Sequence, residues 1–244
     1  MSAAAPLICQ PFWATHFYAF PWSEHPQEAP GLIKYLYSLR DQQAARVSSG
    51  VAVAAKSSYG LYEGDFDLFA REHAGLSKLK AFIVDSVKRA VIHVNGGKQD
   101  ASRLAVEIDD AWYHITNQGG YHDTHVHGGC SWCGIYYLQI GDSGRRREGG
   151  APNGGSRFYS PLWRGGGHSD YGNNYLSTSY VDPPMQDGVL LLFPSYLLHS
   201  GLPYTGQQDR IVIAFNSRTK LLPAGVAVPS DAGAAALSAV PTTA

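Results

Sequence analysis

Long apolar runs are missing from this chain of 244 residues. Nothing approaches the ~18 to 20 consecutive apolar positions a membrane-spanning helix needs, so no membrane partner is expected. Charge is scarce as well. Charged residues make up 16% and cancel to a formal net charge of -1, which leaves no field to collect nucleic acid or an anionic surface. The one concentrated run, Arg145-Arg146-Arg147, is flanked by glycines, lacks an interleaved aromatic platform and reads as a solvated loop. Three cysteines, Cys9, Cys130 and Cys133, are too few for a disulfide framework in a chain of this length. There is no Asn-x-Ser/Thr acceptor, no Lys or Arg precedes Lys34, and Pro6, Gln10 and Pro11 interrupt the first apolar stretch. No secretory signal is expected, and the expected location is cytoplasmic.

What the chain does contain is the makings of a core. It is 44% hydrophobic, with 15 tyrosines and 27 glycines, and a chain this long can bury most of the surface its unfolded form exposes. Two amphipathic helical patterns come early. The first starts at about Gly31, after Pro30, with Leu32, Leu36 and Leu39 on one face. The second carries Leu76, Leu79, Phe82, Ile83, Val87, Ala90, Val91 and Val94 at a 3.6-residue period, and Asn95-Gly96-Gly97 stops it. From Ser102 the texture changes to short segments rich in Val, Ile, Tyr and Phe. Strands are expected over roughly 103–108, 111–116, 121–127, 132–140, 156–159, 176–181, 188–193 and 210–216. That spacing argues for a mainly β barrel or jelly roll with helices covering a sheet.

The expected organisation is one domain over 1–220, in which residues 1–100 form a helical N-terminal region and residues 101–220 a β core, followed by an Ala/Pro-rich tail, 221–244. Two long Gly-rich loops, "GDSGRRREGGAPNGGS" and "PLWRGGGHSDYGNN", have the length at which loops are functional or mobile, and a lid is one expectation for them. Cys130-Ser-Trp-Cys133 has the spacing of a redox or zinc pair. Residues three apart in a strand face opposite sides, however, and no second pair completes a zinc site, so two packed cysteines are expected.

The chemistry concentrates in "GGYHDTHVHGGCSWCGIYYLQI", Gly119 to Ile140. In a strand, Tyr121, Asp123, His125 and His127 share one face while His122 and Val126 take the other. Neighbouring same-face ligands can converge on one metal ion. Solvated or packed histidines near a strand end remain the alternative. Downstream, Gly188 to Phe193 reads as a buried strand, Pro194-Ser195 turns it, and His199 follows. Arg210 then opens a strand in which Val212, Ala214 and Asn216 share its face, and Ile211, Ile213 and Phe215 take the other. A guanidinium at the inner mouth of a barrel requires an anion, either a ligand or a structural carboxylate.

Taken together, Trp112, His125-Val126-His127, "CGIYYL" from Cys133, "FPSYLLH" ending at His199 and "RIVIAFN" from Arg210 form an ordered set of motifs. In order and spacing the set resembles a His-x-His branch of the iron(II)/2-oxoglutarate-dependent oxygenases, related to the prolyl hydroxylases. The resemblance covers about Trp112 to Asn216. It implies a double-stranded β-helix (jelly roll, cupin-like) with the N-terminal helices packed on the larger sheet. It also implies iron ligands at His125, His127 and His199, and an Arg210 that grips the distal carboxylate of 2-oxoglutarate, with Tyr137 and Asn117 as further cosubstrate contacts. His127 stands where the wider superfamily has a carboxylate, and Asp123 is the alternative ligand. The serine often found two positions after the arginine is Val212 here. The activity implied is hydroxylation of an unactivated C–H bond of a small molecule or peptide by dioxygen, with release of succinate and CO2. The competing expectations are a cupin-like three-histidine iron or zinc enzyme without 2-oxoglutarate, and a non-catalytic jelly-roll binding module. Tyr159, Trp163, Tyr171 and Tyr175 are candidates to line the substrate pocket. The substrate itself and the oligomeric state are not legible.

Overall fold

The computed structural model describes residues 14–48, 56–58, 60–144, 150–162, 178–223 and 226. Two antiparallel sheets face each other, and two helices cover the outer face of the larger one. That sheet runs β1 (Tyr18–Pro21), β9 (Val189–Pro194), β6 (Trp132–Gln139), β11 (Arg210–Leu221), β4 (Leu104–Thr116), β3 (Leu61–Glu63), β2 (Lys56–Ser58). The smaller runs β5 (Gly120–His125), β10 (His199–Tyr204), β7 (Ser156–Tyr159), β8 (Tyr180–Val181). This is the expected double-stranded β-helix, mainly β with few helices.

The helices are α1 (His25–Ser48) and α2 (Ala74–Val94). Leu32 and Leu36 of α1 and Leu76, Leu79, Ile83 and Val87 of α2 are buried against Ala111, Tyr113, Ile115, Ile211, Ile213 and Phe215 of the sheet. Burying each such aliphatic side chain is worth about 1.5–3 kcal/mol, which holds both helices in place. As the spacing predicts, α2 ends at Asn95, with Gly96 and Gly97 at φ of 82° and 72°. By contrast, α1 begins upstream of Pro30, at His25. A proline early in a helix removes only its own bond to the preceding turn, so Pro30 does not mark the start.

Alternation along β11 separates two cores. Ile211, Ile213 and Phe215 face the helices, while Val212 faces inward with Cys133, Tyr137, Phe158, Leu191, Phe193 and Leu197 between the sheets. The segments expected at 103–108 and 111–116 are one strand, β4. Its register against β11 slips between Asn216↔Asp110 and Ser217↔Ile108, so Asp109 is an extra bulge residue where a strand break was expected. Arg218 reaches the Asp109 carboxylate at 2.6 Å there. Three short strands in the N-terminal region, β1, β2 and β3, join the larger sheet, as edge strand and hairpin.

Several expectations lie outside the described residues. These are Arg145 to Arg147, Trp163, Tyr171, Tyr175, Cys9, most of the second Gly-rich loop, the start of the strand expected at 176–181, and nearly all of the tail. Among the described residues, no helix is long and apolar enough to cross a membrane.

Candidate metal and cosubstrate site

Three strand connections bring the site together. β5 ends at His125, His127 follows in the turn beyond it, and His199 opens β10 directly opposite His125 in the ladder. His127 is therefore not the next same-face residue of a continuing strand. Its backbone N–H bonds to the Ser195 carbonyl at 3.2 Å, and that bond turns the chain back toward the cluster. One ring nitrogen of each of His125, His127 and His199 lies within 4.8 Å of the others.

Neighbouring carbonyls set the tautomers. His199 Nδ1–H donates to the Leu197 carbonyl at 2.9 Å, and His125 Nδ1–H donates to the Asp123 carbonyl at 2.6 Å, leaving each Nε2 with a free lone pair. Burial disfavours the imidazolium of all three. It lowers His199 to about 3 and, helped by His125, His127 to about 4, and it lowers His125 as well. Neutral imidazoles with aimed lone pairs are the state a metal ion requires.

Arg210 lies deeper on the same cavity wall and is 6% exposed. Its Nη2 donates to Ser156 Oγ at 3.3 Å, its guanidinium lies 5.8 Å from the Tyr137 ring centre, and its buried Nε has no partner. No carboxylate pairs with it among the described residues. Burial pushes its pKa down. A guanidinium in this setting is costly unless an anion arrives. Tyr137 is fully buried, and its hydroxyl donates to Ser156 Oγ at 3.1 Å. Thr116, across the ladder from Arg210, also lines the cavity with a buried, unpartnered hydroxyl. Three neutral imidazoles and a buried guanidinium short of an acceptor fit a divalent metal together with a carboxylate-bearing ligand.

Two of the expected residues are not brought into this group. The Asp123 carboxylate caps the backbone N–H of Thr124 at 2.8 Å on the exposed side of β5, outside the histidine cluster. Asn117 ties a turn, donating to Asp209 Oδ1 at 2.8 Å and accepting from Gly206 N–H at 3.1 Å. Cys130 precedes β6 rather than lying in it, so the two sulfurs meet at 3.7 Å instead of facing opposite sides.

Ser156 and Thr116 are not evident from the sequence. Each is a small polar residue in a segment already expected as a strand, and strand alternation is the signal that places it inward. A second convergence, Glu63, His114 and His122, is equally hidden there. The two imidazoles beside Glu63 hold its carboxyl well below the usual range, while burial lowers His114.

Comparison with known proteins agrees with this geometry. Residues 110–216 match the family model described as "Putative 2OG-Fe(II) oxygenase". Among solved structures, AviO1 from Streptomyces viridochromogenes Tue57 superposes with a TM-score of 0.54 at 12% identity, covering 88% of this chain and 93% of that one. The non-heme alpha ketoglutarate dependent epimerase SnoN from nogalamycin biosynthesis has a TM-score of 0.50 at 11% identity over 86% of this chain and 80% of that one. SnoN is also known in complex with Fe3+, alpha ketoglutarate and nogalamycin RO. At such identities these structures establish the fold. No curated protein sequence matches the chain. Residues 110–216 thus resemble the 2-oxoglutarate- and iron(II)-dependent oxygenases that this family model describes.

Proposed function

We propose that His125, His127 and His199 hold iron(II) and that Arg210, with Tyr137, Ser156 and Thr116, receives the distal carboxylate of 2-oxoglutarate. The observation that carries this reading is Arg210, buried, without a carboxylate partner among the described residues, and on the wall of the cavity that the three histidines line. Guanidinium and carboxylate pair bidentately, and the unpartnered Nε together with Nη2 offers that fork.

Bound iron(II) and 2-oxoglutarate supply the oxidising chemistry: dioxygen is reduced as 2-oxoglutarate loses CO2 to give succinate, and a C–H bond of the substrate is hydroxylated. The chain's own residues position and exclude. The Leu197 and Asp123 carbonyls fix two imidazole rings. Phe193 and Val212 wall the cavity with apolar surface that keeps water away. Replacing the usual ligand carboxylate by His127 leaves the site one negative charge short, which makes the dicarboxylate a stronger part of its charge balance. The apolar lining, which includes Leu61, Trp112, Tyr121 and Leu202, suits a small molecule or peptide with an apolar portion.

The test is an anaerobic titration of the iron(II)-loaded chain with 2-oxoglutarate, following the weak visible metal-to-ligand charge-transfer band. The band is expected to appear and to saturate. Its absence with iron bound would overturn the cosubstrate assignment and favour a three-histidine metalloenzyme that does not use 2-oxoglutarate.

A further inference from the structure

His114 and His122, which line the same cavity, meet Glu63 in a second set of metal-type donors. Glu63 on β3, His114 on β4 and His122 on β5 each bring one donor atom to within 4.8 Å of the others. Glu63 Oε2 lies 2.9 Å from His114 Nε2 and 3.6 Å from His122 Nε2. Ligands bound at about 2.1 Å are about 3.0 Å apart across an octahedral edge and about 3.4 Å apart across a tetrahedral one. The spacing is that of neighbouring ligands on one ion.

The Trp112 indole N–H also lies 3.1 Å from His114 Nε2 and would have to give up that contact when the nitrogen binds a metal. His122 Nδ1 faces the Asp123 carbonyl at 3.4 Å and the His125 Nδ1 at 3.1 Å, while its Nε2 turns to Glu63. Both Nε2 atoms face the Glu63 carboxylate, where a metal ion would displace the protons that these groups share in the free protein. A shared proton satisfies the buried His114 beside Glu63 in the free protein, and a metal ion held by all three groups would replace it. Two imidazoles and a carboxylate are a donor set that non-haem iron and other first-row divalent ions accept.

The two sets are also joined. The Asp123 carbonyl accepts from His125 Nδ1–H at 2.6 Å and faces His122 Nδ1, and the two Nδ1 atoms are 3.1 Å apart. The two sets are therefore neighbours, joined through His122 and His125.

We propose that the cavity is a two-metal site, in which Glu63, His114 and His122 bind a second divalent first-row transition ion beside the one held by His125, His127 and His199. Three protein ligands leave that ion open positions, and the ligand they suit is an oxygen donor of a substrate entering past Trp112 and Tyr121. The inference stands on its own donor geometry and does not require 2-oxoglutarate.

The metal-free full-length chain would be titrated with cobalt(II), with bound metal counted after equilibrium dialysis and the visible d–d bands recorded. Wild type is expected to bind two equivalents, and Glu63→Gln, His122→Asn and His199→Ala one each, with different residual spectra. Near-UV circular dichroism checks folding, and His122→Asn carries the test if Glu63→Gln does not fold. A single wild-type equivalent, abolished by His199→Ala and untouched by Glu63→Gln, would overturn the second site and leave the three-histidine reading standing. A single equivalent abolished by Glu63→Gln but not by His199→Ala would support the second set and overturn the first. No bound cobalt would overturn both.

Discussion

Arg210 and Thr116 are direct cross-strand partners on β11 and β4, and each keeps a buried polar atom without a hydrogen-bond partner, the guanidinium Nε and the hydroxyl Oγ1. Two such orphans side by side cost the free protein about 1–3 kcal/mol apiece. A carboxylate reaching both would recover that energy on binding.

Arg210→Ala is accordingly expected to leave iron binding intact while weakening 2-oxoglutarate by about 10²-fold or more, the scale of losing a buried charge-assisted pair. Thr116→Val should separate the two roles of the hydroxyl. Thermal unfolding of the cosubstrate-free variant should move up, since an unpaired buried group is gone, while 2-oxoglutarate affinity falls several-fold by calorimetry. A variant that is less stable and binds normally would show that Thr116 only packs.

The third protein ligand can be decided by comparing two substitutions. Asp123→Asn should keep iron at wild-type stoichiometry, because the Asp123 side chain caps Thr124 and lies outside the cluster. His127→Ala should lose the equivalent held by the three-histidine set, read by elemental analysis after dialysis. Iron loss in Asp123→Asn with retention in His127→Ala would reverse the assignment.

Gly134 in β6 has no room for a side chain: a Cβ there would lie 2.4 Å from the Phe215 ring and 3.1 Å from Leu190 Cδ1. Gly134→Ala should destabilise the fold by about 1–3 kcal/mol through overpacking, seen as a lower urea midpoint at unchanged slope. Unchanged stability would mean that Phe215 moves aside freely.

At alkaline pH the tyrosines work against the fold. Burial, with the Asp209 carboxylate second, pushes Tyr37 up to about 12, and burial raises Tyr113, Tyr136 and Tyr137 as well. The unfolded chain releases these protons near pH 10 while the folded chain keeps them. Their contribution to stability should therefore be level below about pH 10 and fall as pH rises through about 12. Tyrosinate absorbance should rise in two stages, the later one together with loss of circular dichroism. A single stage near pH 10 without unfolding would contradict the burial of these groups.

Patterns that repeat along the chain are readable before the fold. The period of Leu76 to Val94 and the apolar runs of β6 and β9 carry their own signal, because each buries a continuous face. The strand holding His199 is not readable in this way: Gly201 and Pro203 interrupt "HSGLPY", and its pairing to both β5 and β7 supplies what local propensity does not. The break expected at Asp109-Asp110 fails for a related reason, since a long ladder to β11 carries the strand through a bulge.

By itself the sequence determined the inward alternation of Arg210 and Val212, the helices that cover the sheet, and the order of residues that can bind a metal, since these follow from spacing along one chain. Only the tertiary structure decided which donors meet. His127 reaches its partners from a turn, Asp123 faces away, Thr116 stands opposite Arg210, and Glu63, His114 and His122 converge from three strands. The physical reason is register: side chains far apart in sequence share a cavity only once the ladders between strands set their offset, and no period within a single strand encodes that offset.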